Sequence, residues 1–365
     1  MAQGAVHDLL RNRELESLVV ADQSSDALCA LHQRFPDRRL TTTVFDAADD
    51  DEVTSLMQKA DGVFCGVHYR FNPAFTRAAI ATRTHMVDLG GNNDVVAAQL
   101  GMTAQAQAAG VTVIPDCGLA PGMVSVLVAW GLARFAWADS VKIRVGGLPA
   151  TPQEPFEYER LFSVEGLINE YVEPPLVLRD GKLVEREPLG DVETVEFDPP
   201  VGTLEAFNTS GGMSTLGQTF GKRVRNLDYK TLRYPGHAKA MQWLYHLGLF
   251  SSEPVVVDGQ SIVPRHLVAD RIAAHVPLGQ RDLTVVRVEF QGRGQVHRLD
   301  IIDEYDPTGN LTSMMRMTAF PAAIILQMIC DGRIAKRGVV PQEVAVDPAG
   351  FVEELPPRGI RIKGI

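Results

Sequence analysis

Between Leu15 and Gly118, short apolar segments alternate with amphipathic helical ones, and few architectures accept that order. "LESLVVADQ" (Leu15–Gln23) reads as an apolar strand ending in an acid, "DALCALHQRF" as a helix, and "LTTTVFDAAD" as a second strand closing at Asp46. "DDEVTSLMQKA" is helical, and "DGVFCGV" is a third strand closing near Gly66. "NPAFTRAAIATR" is a helix, with Asn72 expected as N-cap and Pro73 at the first helical position. "HMVDLGG" and "VTVIPDCG" are further strands, joined by the helix "DVVAAQLGMTAQAQAAG". Strands that are apolar throughout are covered on both faces. The sheet is therefore parallel and doubly wound, an α/β fold of Rossmann type.

What precedes this run is unusual. "MAQGAVHDLL" reads as the inside of a helix, with Val6, Leu9 and Leu10 on one face and Gly4, His7 and Asp8 on another. It has neither a cap nor a strand before it. In a dinucleotide-binding unit, a first strand leads through G-x-G-x-x-G/A into a helix, and an acid about 20 residues later bonds the ribose. Asp22 is that acid, and counting back about 20 residues reaches Ala2, the last position of the fingerprint. The first strand and both leading glycines are then expected upstream of Met1. The alternative is that Asp22 merely ends a strand. An Asp here repels a 2′-phosphate and Gln23 supplies no cation, so NAD is expected rather than NADP.

The alternation stops near Gly118. From Val141 to about Val288 the pattern shifts to longer strands, Pro-rich loops and Gly pairs, which implies a second, mixed α/β domain. "PAAIILQMICDGRIAKRGVV" is a helix and a turn, expected to return toward the first domain. The expected division is 1–118, 119–310 and 311–365. A net charge of −10 without a Lys/Arg run argues against a nucleic-acid partner. No apolar stretch is read as membrane-spanning, and the first residues lack the regions of a signal peptide. Four scattered cysteines (Cys29, Cys65, Cys117, Cys330) form no CxxC and suit reduced thiols in a cytoplasm. His266 and His275 are too far apart for a ligand pair on one helix face, so no metal site is expected.

Four stretches stand out: "DLGGN" (Asp88–Asn92), "PDCGLAPGM" (Pro115–Met123), "RVGGLP" (Arg144–Pro149) and "TLRYPGH" (Thr231–His237). With "FSVEGLINEY", "LRDGK", "LEAFNTSGGMSTL" and "NLDYKT", they resemble the saccharopine reductase and L-lysine 6-dehydrogenase family, in order along nearly the whole chain. The resemblance implies an N-terminal Rossmann domain, a catalytic α/β domain that also dimerises, and nicotinamide-dependent oxidation of a C–N bond. The sequence is more similar to the lysine dehydrogenase branch. Saccharopine reductases tend to carry an acid and a cysteine where this chain has Ala120 and Val145.

The implied reaction oxidises the side-chain amine of L-lysine to the semialdehyde, with release of ammonia and cyclisation. The ammonium must first lose a proton, the iminium needs an activated water, and the α-carboxylate needs a cation to hold it. Asp116 is the candidate to attract the ammonium or act as base, against a helix cap or turn residue. Cys117 is a candidate proton carrier, against a small buried thiol. Arg233 is the candidate carboxylate clamp. His237 suits a base, against a structural His bonded to backbone. Glu165 is a candidate for holding a substrate amine, against a helix-start carboxylate. Tyr69 is a candidate to border the nicotinamide, against an ordinary loop aromatic.

Gly66 and Val67 are expected on the adenosine side, Asp46 and Ala47 beside the adenine, and Gly90 and Gly91 where the nicotinamide lies. Tight turns alone also explain these glycines. "TSGGMSTL" lacks the G-x-S-x-G elbow, which argues against hydrolase chemistry. Two readings compete with lysine oxidation: a saccharopine or related amino-acid C–N oxidoreductase, and a non-catalytic dinucleotide-binding protein.

Overall fold

The computed structural model describes residues 1–134 and 137–364. They divide into two compact units. The first comprises Met1–Trp130, Pro307–Leu311 and Met315–Arg358; the second comprises Gly131–Asp306, Thr312–Met314 and the residues from Gly359 on.

The first unit follows the strand–helix alternation. Helix α1 (Ala2–Leu9) leads to β1 (Leu18–Asp22), α2 (Ser25–Arg34), β2 (Leu40–Val44), α3 (Asp50–Met57) and β3 (Gly62–Cys65). Then come α4 (Asn72–Thr82), β4 (His85–Asp88), α5 (Asn93–Leu100), α6 (Thr103–Ala109), β5 (Thr112–Ile114) and α7 (Met123–Leu132). Side chains start three of these helices: Ser24, Asp49 and Asn92 accept first-turn amides. Asn72 does not cap α4. It is the first helical residue, it is buried, and its Oδ1 accepts the Cys65 thiol at 3.4 Å. The single helix expected over 94–110 is two, parted at Gly101–Met102.

Strands β1 and β2 pair in parallel as a two-stranded sheet. Strands β3, β4 and β5 form a second parallel sheet with β16 (Gly338–Val339), in the order β16-β5-β4-β3. No described strand pairs with the outer edge of β1 or of β3. Ala21 of β1 nevertheless packs on the same core as Val63 and Cys65 of β3 and Met86 of β4.

The second unit is built on an eight-stranded mixed sheet. Its long strands are β6 (Ala138–Pro149), β11 (Val224–Arg233), β14 (Asp282–Gly292) and β15 (Gln295–Glu304). Shorter β7 (Leu176–Arg179), β8 (Lys182–Glu185), β9 (Glu193–Glu196) and β10 (Thr203–Asn208) complete it. Only β6 and β11 run parallel; the other pairs are antiparallel. Helices α8 (Val164–Val172), α10 (His237–His246) and α11 (Pro264–His275) pack together over a core that includes Tyr158, Tyr171 and Phe207. Short α9 (Leu216–Phe220) and the hairpin β12 (Val255–Val257) and β13 (Gln260–Ile262) complete the elements the chain passes here.

The chain then enters α12 (Ser313–Cys330), which starts before the expected tail helix and carries Pro321 inside it. With 18 residues and a mean hydropathy of 1.4, α12 is long and apolar enough to cross a membrane, contrary to the sequence reading; 78% of it is buried inside the protein. It packs on α1 so closely that a Cβ at Gly4 would stand 2.8 Å from the Met315 carbonyl. Gly4 and Asp8, which the sequence places on a different face from Val6, Leu9 and Leu10, are therefore also buried. Asp8 is paired there with Arg358 at 2.7 Å. Removing one partner of a buried pair leaves a desolvated charge. Asp8→Ala is expected to lower the unfolding free energy by about 3 kcal/mol in urea melts, and Asp8→Asn by less.

Candidate active site

The carboxyl ends of the first unit's strands carry the residues expected to face a dinucleotide. Asp22 ends β1 exposed; its Oδ1 accepts the Ser24 amide at 2.9 Å, and Oδ2 has no partner among the described residues. Asp46 lies two residues past β2, its Oδ1 accepting the Ala48 amide at 2.8 Å, and Ala47 leans on the core. Gly66 and Val67 follow β3, and Val67 also packs on that core. Ala2 lies in the first turn of α1, which no side chain caps.

The turns after β3, β4 and β5 press on one another. A Cβ at Gly91 would meet the Tyr69 ring at 2.7 Å, and one at Gly90 would meet Asp116 Oδ1 at 1.7 Å. Both glycines have φ in the left-handed region, so position 90 and position 91 have neither the room nor the backbone for a side chain. The buried carboxylate of Asp88 ties these turns together. Oδ1 accepts the amides of Gly90 and Asp116 at 2.8 and 3.1 Å, and Oδ2 accepts Gln99 Nε2 at 2.8 Å. Burial raises the Asp88 pKa, against the pull of these three donors.

Asp116 is a buried turn residue at φ 60°, well ahead of α7, and so caps no helix. Cys117 is fully buried and its thiol donates to the Ile114 carbonyl at 3.2 Å. Burial, with the charges of Asp88 and Asp116, pushes its pKa well above the ordinary value. Its burial and its bond to a backbone carbonyl match the alternative reading of a small buried thiol.

In the second unit the expected residues converge on the end of β11. Arg233 is 3% exposed; its Nη1 donates to the carbonyls of Leu232 and Gly147 at 3.0 and 3.4 Å. Its buried Nε has no partner among the described residues. The guanidinium lies 5.1 Å from the centre of the Tyr158 ring, a cation–π distance. Burial works against its charge, and Tyr171, Tyr158 and Glu170 more than restore it, so Arg233 stays cationic.

Gly236, at φ 104°, turns the chain from β11 into α10. Glu205 then serves the new helix, its carboxylate oxygens accepting the amides of Gly236 and Ala238. This seats His237 in a fully buried position. Its Nδ1 is 2.8 Å from the Phe156 carbonyl and its Nε2 is 2.9 Å from the Tyr171 hydroxyl. A carbonyl only accepts, so Nδ1 carries the hydrogen; bare Nε2 then accepts from Tyr171. Burial lowers its pKa to about 3, and the Arg233 charge pushes the same way. His237 is thus a neutral ring with both nitrogens engaged. The backbone-bonded alternative describes it, and the general-base expectation does not.

Two family descriptions match the chain: "Saccharopine dehydrogenase NADP binding domain" over residues 1–114 and "Saccharopine dehydrogenase C-terminal domain" over 118–360. The chain belongs to the saccharopine dehydrogenase family. It is 26% identical to the mitochondrial alpha-aminoadipic semialdehyde synthase of Bos taurus over 80% of its own length, but spans only 39% of that protein. It is 20% identical to the saccharopine dehydrogenase [NADP(+), L-glutamate-forming] of Pyricularia oryzae, over 82% of this chain and 83% of that one. The apo saccharopine dehydrogenase (L-Glu forming) of Saccharomyces cerevisiae shares the fold, with a TM-score of 0.78 and 20% identity over 99% of this chain and 96% of that one. The homospermidine synthase of Legionella pneumophila, solved with NAD, superposes with a TM-score of 0.68 at 10% identity, over 96% of this chain and 86% of that one.

Arg233, His237 and Glu165 all fall within the C-terminal domain of the family, but Glu165 is not with the other two. It is exposed at the start of α8 and pairs with Arg265 at 2.7 Å. The acid of α8 whose charge acts on Arg233 is Glu170, a half-buried residue that sequence reasoning passed over. Its charge acts on Arg233, Tyr158, Tyr171 and Tyr229 together. Its carboxylate has no hydrogen-bond partner among the described residues. Burial raises its pKa to about 7, with Arg233 opposing and Glu173 adding to the rise. The available signal was spacing: five residues along a helix separate Glu170 from Glu165 by about 140°, so the two acids of "VEGLINEY" face different surroundings.

The raised Glu170 pKa fixes a sign. Between pH 4.5 and about 7 the folded protein holds a proton that the unfolded chain has released, so this group costs stability as pH rises through that window. Glu170→Gln is expected to raise the melting temperature of the ligand-free protein at pH 8 and to change it little at pH 4.5. Equal shifts at both pH values would show that the carboxylate titrates normally.

Proposed function

We propose that this chain is a nicotinamide-dependent amino-acid oxidoreductase that oxidises the side-chain amine of L-lysine to the semialdehyde, releasing ammonia. The observation that carries the amino-acid part is Arg233: a buried guanidinium whose Nε lacks a partner and whose surroundings are phenols. A desolvated cation of this kind binds a carboxylate with charge-assisted, directional bonds, and so fixes the rest of the substrate.

For the cofactor, Asp22 offers a partnerless carboxylate oxygen to ribose hydroxyls. The backbone at Gly66–Val67 suits the adenosine side, Asp46 and Ala47 the adenine, and the Gly90–Gly91 turn, backed by Tyr69 and Asp116, the nicotinamide. A bound nicotinamide dinucleotide supplies the acceptor for the hydride. The stretch Asp22-Gln23-Ser24-Ser25-Asp26 holds no cation for a 2′-phosphate, which supports NAD. Asp116 is the acid on this edge that faces the substrate ammonium in this reading. Its negative charge draws the ammonium in and takes the proton that must leave before the carbon gives up hydride.

L-Lysine is favoured over saccharopine because Ala120 and buried Val145 carry no group that handles protons. Saccharopine remains the second reading, favoured by the names of the relatives in Bos taurus and Pyricularia oryzae.

The test is NADH formation. L-lysine with NAD is expected to give the NADH band, and saccharopine with NADP to give little; the reverse result assigns the second reading. Asp22→Ser is expected to raise the KM for NAD and narrow its advantage over NADP by roughly tenfold, about 1.4 kcal/mol. An unchanged ratio would remove Asp22 from the cofactor site.

A further inference from the structure

The segment after α12 takes no part in the proposed reaction, yet it reaches the strand ends of the first unit. Strand β16 lies parallel beside β5, with Gly338 opposite Thr112 and Val339 opposite Val113. The amides of Gly338 and Val340 donate to the carbonyls of Val111 and Val113 at 2.8 and 2.9 Å. The next rung of a parallel ladder needs the amide of residue 115, which is proline and has no hydrogen to give. Residue 341, opposite it at the same offset, is proline as well. Among the described residues, main-chain pairing of the two segments ends there, one residue before Asp116.

Gln342 takes over the link with its side chain. It opens α13 (Gln342–Ala345), is 1% exposed, and keeps the strand's offset of 226 residues from Asp116. Its Nε2 donates to the Asp116 carbonyl at 3.1 Å and to the Ser125 hydroxyl at 3.3 Å. A carbonyl only accepts, which sets the orientation of the Gln342 amide. From the other side, Asp88 Oδ1 accepts the Asp116 amide, and the Asp88 carbonyl accepts the Cys117 amide at 2.7 Å. The main chain of Asp116 is thus held at both its hydrogen-bonding groups, once from β4 and once from α13.

The hold has a purpose. A residue with a Cβ adopts φ 60° against a steric cost, and keeps it only where its neighbours over-determine it. That backbone brings the Asp116 carboxylate against Gly90, where a single added carbon would stand 1.7 Å from Oδ1. We propose that Gln342 is a positioning residue for Asp116: through the main-chain carbonyl it fixes how the carboxylate meets the Gly90–Gly91 turn, and so governs turnover without touching the substrate. The proposal rests on the reading of Asp116 as the acid that takes the ammonium proton, and adds to it what keeps that acid in place.

Gln342→Met keeps most of the volume and removes the donor. It is expected to lower kcat with L-lysine and NAD at least tenfold, to leave the KM for NAD unchanged, and to have no further effect on kcat in an Asp116→Asn background. A melting curve shows that each variant is folded. The same loss of kcat with and without Asp116, or no loss, overturns the positioning role. If Asp116→Asn alone leaves turnover unchanged, the acid reading of Asp116 falls. Hydrogen exchange of the full chain, followed by NMR without substrate, decides the positioning independently of the reaction. Gln342→Met is expected to speed exchange of the Asp116 and Cys117 amides at least tenfold while the Gly338 and Val340 amides keep their protection. Unchanged exchange at Asp116, or equal loosening of all four amides, would show that Gln342 only anchors the tail.

Discussion

A guanidinium taken out of water without a full set of partners is the constraint on which the second unit turns. Arg233 keeps its charge because phenols and one carboxylate surround it, and because Nη1 is held by two carbonyls of the sheet. The rest of the local structure follows from holding it. Gly236 turns the chain at once into α10, Glu205 satisfies the first amides of that helix, and His237 then orders Tyr171. A chain pays such desolvation only where something is to be recognised or a fold specified, and the partnerless Nε points to recognition.

The first unit has a counterpart in Asp88. It is also buried and ionisable, but its carboxylate is satisfied by Gly90, Asp116 and Gln99. Its work is to lock turns against one another, so that Gly90, Gly91, Tyr69 and Asp116 are presented as one surface at the strand ends. That edge is where doubly wound sheets bind ligands. The sheet itself is divided between β1-β2 and β3-β4-β5-β16, with packing but no ladder across the division among the described residues.

Much of this was legible in the sequence, for identifiable reasons. Apolar runs ended by acids gave the parallel strands, although β1 and β2 are not covered on both faces: Val19 and Val44 stay exposed. Arg233 stood out because a cation between Gly/Pro turns is not a solvated face. For Cys117 and His237 the sequence leaves a functional and a structural role open, because intrinsic reactivity is visible in a sequence and desolvation is not; both are fully buried and bonded to backbone carbonyls. Glu170 was missed for the complementary reason. The roughly 140° between Glu165 and Glu170 on a helix shows that the two acids of "VEGLINEY" face different surroundings, but not which of them acts on Arg233. The burial of Asp8 is not legible locally, because its partner, Arg358, lies 350 residues away.

The central claim is that Arg233 holds a substrate carboxylate. It is tested most directly by comparing the affinity for L-lysine with that for cadaverine, its decarboxylated diamine, before and after Arg233→Gln. The account predicts that the unsubstituted protein prefers L-lysine by roughly 10- to 100-fold and that the substitution abolishes the preference. A preference that survives the loss of Arg233 would contradict it.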